Sequence, residues 1–66
     1  MNLIEGIQEE MNRVRELRKQ YVAIGTSGAF GLIVIDAEIK QGEKAIASND
    51  VVEMLKSYTN LQKVTG

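Results

Sequence analysis

The chain has no cysteine, no histidine, no proline and no tryptophan, and its aromatic residues are two tyrosines and one phenylalanine. Each absence narrows the reading. Without cysteine there is no disulfide framework, and without cysteine or histidine the common zinc sites are excluded. Nucleophilic catalysis lacks both its thiol and its usual base. Without proline, nothing in the sequence forces a helix to break. At 66 residues the chain makes a single small domain, and a chain of that size buries only about 60% of its unfolded surface. Helix packing and self-association are the remaining sources of stability.

One further absence is local. The sixteen residues from Gln20 to Ile35 carry no charge, although charged residues make up 26% of the whole. Net charge is −1 and the pI about 5.3, which is not the basic footprint of a general nucleic-acid binder. Met1-Asn-Leu-Ile-Glu has no positive n-region before its first acid, so it does not read as a signal peptide, and the expected location is the cytoplasm.

Three helices are expected, at about residues 2–21, 27–47 and 50–63. In the first, Asn2 and Glu5 fit a capping pair. Ile7, Met11, Val14, Leu17 or Arg18, and Tyr21 then recur at three- and four-residue steps. Early acids (Glu5, Glu9, Glu10) and late bases (Arg13, Arg15, Arg18, Lys19) complement the helix dipole, with Glu9 and Arg13 as an i,i+4 pair.

Glycines 25, 28 and 31, with Thr26 and Ser27, mark a turn and a new helix cap. Leu32, Ile35, Ile39, Gly42 and Ile46 follow with heptad spacing, and Asp36 and Lys40 lie four apart on the polar side. Gly42 has two readings, a close helix crossing or drift at a tolerant position. Asp50 with Glu53 caps the third helix, whose stripe is Val51, Met54, Leu55, Tyr58 and Leu61. The fold class is all-α, a three-helix antiparallel hairpin bundle associating as a dimer. The rival is α-β-β-α, with a β-hairpin over 21–35 built from Tyr21–Ile24 and Leu32–Ile35. Against it, neither run alternates apolar with polar, and helical spacing continues from Leu32 to Ile46.

Few constellations carry chemistry. Gly25-Thr-Ser-Gly28-Ala-Phe-Gly31 resembles a phosphate loop only superficially, since no lysine falls between Lys19 and Lys40. Asp36 with Glu38, or Glu9 with Glu10, would need a cleft to act as acid and base, and no enzyme activity is expected. No metal or cofactor is implied. A helix-turn-helix reading would put Lys56, Asn60, Gln62 and Lys63 on a recognition helix that opens with acids, which counts against it.

At Gly28-Ala-Phe-Gly31 and at Ile46–Leu55 the sequence resembles short uncharacterised proteins of bacterial and prophage origin. The resemblance implies small helical proteins in a bacterial or phage setting, and no site residues to carry over. The functional expectation is therefore a non-enzymatic helical interaction module, a small regulator or adaptor that self-associates and binds another protein. Phe30, Leu32, Ile33, Ile35 and Ile39 are the expected interface between copies. One alternative is a dimeric nucleic-acid-binding regulator using Arg15, Arg18 and Lys19. Another is a small membrane-associated protein, although sixteen uncharged residues fall short of the roughly 20 needed to span a bilayer as helix.

Overall fold

The computed structural model describes residues 2–65, and these are helical nearly throughout. Helix α1 spans Leu3–Ile24, a 3₁₀ turn spans Gly25–Gly28, α2 spans Ala29–Ser48 and α3 spans Val51–Gln62. The first three form one unbroken helical run from Leu3 to Ser48, folded back on itself at Gly25.

The expected caps are in place at two of the three starts. Asn2 Oδ1 accepts from the Glu5 amide at 2.8 Å. Asp50 Oδ1 accepts from the amides of Val52 at 3.0 Å and Glu53 at 3.3 Å. Each takes up donors that a helix start leaves unpaired. Asn49, at φ 55°, ends α2 in the left-handed conformation that asparagine tolerates.

The turn differs from expectation. The sequence places the end of the first helix at residue 21 and a Thr26 or Ser27 cap for the second. Instead α1 continues to Ile24 and ends on Gly25, at φ +80°. The 3₁₀ residues then lead into α2 with no side-chain cap. No strand occurs among the described residues, so the alternative hairpin over 21–35 is overturned. The β-branched residues there sit in helices because each run continues a helix whose core-facing stripe is already set, and tertiary packing overrides local β preference.

The run reverses at the turn because two glycines let α2 lie on the end of α1. A Cβ at Gly28 would collide with the Tyr21 carbonyl oxygen, and one at Gly31 with the Tyr21 ring. Farther down the same crossing, a Cβ at Gly42 would approach Met11 Sδ at 2.9 Å and Ser57 Oγ at 3.2 Å. Of the two readings of Gly42, close helix approach is the one the structure bears out.

Contacts of Met11 with Gly42, Tyr21 with Gly31 and Arg18 with Asp36 make α1 and α2 antiparallel. Helix α3 lies on both, antiparallel to α2 and parallel to α1, with Ser57 near Gly42 and Tyr58 near Gly6. The core is Ile7, Met11, Val14, Ile35, Ala45, Met54 and Leu61. Three carbonyl contacts, from two side chains of α1, hold residues 61–65. The Arg13 guanidinium donates to Leu61 O at 2.7 Å and Val64 O at 2.8 Å, and Tyr21 Oη donates to Thr65 O at 2.8 Å.

Candidate functional site

Helix α3 has 12 residues against 22 in α1 and 20 in α2. The folded-back end of α1 and α2, centred on the 3₁₀ turn, carries the uncharged residues and forms a tip. Most of them are not covered. Phe30 is 76% exposed, Ile33 68%, Ile24 60% and Val22 52%. Val34 is also exposed. Val51, Val52 and Leu55 are exposed on α3 as well, but the tip carries the larger share of the exposed apolar side chains, and such a surface is the kind that marks an interaction site.

The expected interface residues divide. Phe30 and Ile33 face solvent, as an interface requires. Ile35 does not: it is 1% exposed and belongs to the core. Leu32 and Ile39 are half-buried, and Ile39 packs on that core. The heptad seam is therefore satisfied within the chain by α1 and α3. The exposed set comes from the positions between seam residues, joined by Val22 and Ile24 of α1, which the sequence reading did not include. Their signal was present in the uncharged run itself, because the seam used only one face of it.

Beside the tip, where the ends of α1 and α3 meet α2, lies an open groove of about 430 Å³. Its walls include Tyr21, Phe30, Val34, Glu38, Lys63 and Val64. Glu38 Oε2 is buried there and accepts no hydrogen bond.

The basic residues Arg15, Arg18 and Lys19 are placed differently from one another. Arg18 forms an ion pair with Asp36, Nε to Oδ1 at 2.7 Å. That hydrogen bond holds the Asp36 carboxyl below its ordinary range and raises Arg18 above its own. Lys19 reaches Glu16 at 3.1 Å with both side chains in solvent, and Arg15 bonds the Asn12 side chain at 3.0 Å. Asp36 therefore pairs across helices rather than with Lys40, and Arg13 pairs with Glu10 at 2.7 Å rather than with Glu9. Asp36 meets a planar guanidinium that can be held in a fixed orientation, and Arg13 is turned to the Glu10 side by its bonds to the Leu61 and Val64 carbonyls.

No two carboxylates share a cleft among the named pairs. Asp36 is on the Arg18 side and exposed, Glu38 lines the groove, and Glu10 is turned to Arg13. Glycines 28 and 31 pack on Tyr21, which is a helix-packing role. Among the described residues, no three acids gather as a metal site.

The chain matches no family model, no curated protein and no solved structure.

Proposed function

We propose that this chain is a non-enzymatic helical interaction module. In this reading it is a three-helix hairpin bundle that pairs with a second copy through its uncharged tip and, as a dimer, binds another protein as a small regulator or adaptor. A cytoplasmic location and a bacterial or phage setting belong to the same proposal, the setting resting on the resemblance at Gly28–Gly31 and Ile46–Leu55. The observation that carries it is the exposure of Phe30 (76%) and Ile33 (68%) in a segment without a single charge. A monomer gains nothing from holding such side chains in water, whereas a symmetric pair buries the same patch twice.

Sedimentation equilibrium over a wide concentration range tests this. A reversible dimer is the expected result, and Phe30→Ser with Ile33→Ser shifts it to monomer while the helical circular dichroism is kept. A strict monomer at every concentration rejects the proposal.

A second reading has its own observation. Within the helical run Leu3–Ser48, an 18-residue window passes for a membrane span by length and composition, and only 11% of it is buried. The run turns back at Gly25, so the uncharged part of each arm is about 10 Å long, against about 30 Å for a bilayer core. Such a tip would dip into one leaflet rather than cross it. Flotation with anionic lipid vesicles separates the two readings: co-flotation of a monomer favours lipid, and a dimer that stays with the soluble fraction favours the protein interface. The nucleic-acid alternative draws the least support, since Arg18 is held by Asp36 and Lys19 reaches Glu16.

A further inference from the structure

The groove beside the tip holds one acid and one base that do not meet. Glu38 Oε2 is buried without a hydrogen-bond donor. Lys63 lines the same groove, and among the described residues neither takes part in an ion pair within the chain. Exposed Phe30 and Val34 form the apolar part of the wall.

An occupant that matches this groove brings apolar surface together with charges of both signs. A second copy, turned about a two-fold axis, brings both. In an isologous contact residue i meets residue j and j meets i, so an acid and a base on one patch become two pairs.

We infer that the dimer interface is this groove, with Glu38 of each copy accepting from Lys63 of the other while Phe30 and Val34 close over the pair. This rests on the self-association proposed above and names its contacts. It also gives the patch a direction. Phe30 and Val34 lie on the groove side of α2, whereas Ile33 does not line it, so Phe30 contributes more to association than Ile33.

Two charge reversals test the pairing. Alone, Glu38→Lys places lysines at 38 and 63, and each copy of its homodimer sets like charges against each other twice. Lys63→Glu does the same with acids. In a one-to-one mixture, however, every contact between the two variants joins a lysine to a glutamate. The expected result is association at least about tenfold weaker for each variant alone, restored toward wild type in the mixture. A Glu38–Lys63 bond within one chain predicts no rescue, because each variant carries its like charges in the same chain.

A mixture that stays as weakly associated as its components therefore overturns the inference. So do single variants that dimerise like wild type, which would leave the dimer standing but placed elsewhere. A wild type that never dimerises rejects both proposals at once. Glu38→Gln guards against failure of the lysine variant to fold: it keeps the shape, removes the charge, and is expected to weaken association several-fold with helicity unchanged.

Discussion

The ring of Tyr21 occupies the space that a side chain at residue 31 would need, and the carbonyl of the same tyrosine occupies the space at residue 28. One residue of α1 thus sets how closely α2 can return along it. Gly31→Ala is expected to destabilise the fold by about 1–3 kcal/mol, the usual range for overpacking. Gly28→Ala should be at least as damaging, because backbone rather than a movable ring blocks it. Urea unfolding of the two variants measures the order, and a Gly31→Ala protein as stable as wild type would mean that the ring swings aside.

Arg13 joins α1 to the end of α3 through the carbonyls of Leu61 and Val64, and bonds the Glu10 carboxylate within α1. Its guanidinium adds donors at terminal carbonyls, where the α3 dipole favours a cation. Arg13→Met keeps the stem and removes the donors. A loss of about 1–2 kcal/mol is expected, together with faster amide exchange over residues 61–65. Arg13→Lys should recover only part of this, since one ammonium cannot reproduce the fork.

Ser57 is fully buried, and its hydroxyl has no hydrogen-bond partner. Removing an unsatisfied polar group from a core is neutral to stabilising. Ser57→Ala is accordingly expected to raise the melting temperature or leave it unchanged. A clear drop would reveal a bridging water held between the helices near Gly42.

The Arg18–Asp36 pair predicts the acid limb of stability. Its hydrogen bond depresses the Asp36 pKa below the ordinary value of 3.8. The ionised form therefore contributes stability above that value, and the contribution is lost as pH falls through the lower, folded-state value. Both groups are exposed, so the effect is small. Melting temperatures of wild type and Asp36→Asn should differ near neutral pH and converge in strong acid. Equal melting temperatures across the whole range would remove the pair from the stability of the fold.

Ile35 and Phe30 should behave oppositely, although five residues apart in the same uncharged run. Ile35→Asp buries an unpartnered charge in the core and is expected to unfold the monomer. Phe30→Asp should leave helicity intact and act on association alone, read by circular dichroism and sedimentation together.

Much of the helical content was legible because periodicity reports which side of a helix is buried. Ile7, Met11 and Val14, then Ile35, then Met54 and Leu61, were all marked by spacing and all reach the core. Two caps were legible because Asn2 and Asp50 precede a glutamate by three residues. The turn was less so: Thr26 and Ser27 offered a cap, but positive φ at Gly25 and the tight contact at Gly28 are properties of a packed pair of helices, which one helix does not encode.

The exposed tip is legible only in part, at Phe30 and Ile33, for a related reason. A heptad seam identifies a face that will be covered, and α1 and α3 of the same chain cover this one. What a second copy would meet lies on the flanks, at Phe30 and Val34, and in the pairing of Glu38 with the end of α3. Residues 38 and 63 come near one groove only after the chain has reversed twice, and no local pattern reveals that.

The anchoring of Leu61, Val64 and Thr65 by Arg13 and Tyr21 decides where reporters can be attached. An affinity handle or fluorophore joined after Thr65 emerges beside the groove and sterically masks it. One joined ahead of Leu3 emerges at the far end of a 22-residue helix, about 27 Å from Tyr21 in the groove wall. Pull-downs or fluorescence assays with the handle on the trailing end would thus report silence from a competent surface, and the leading end is the side to label.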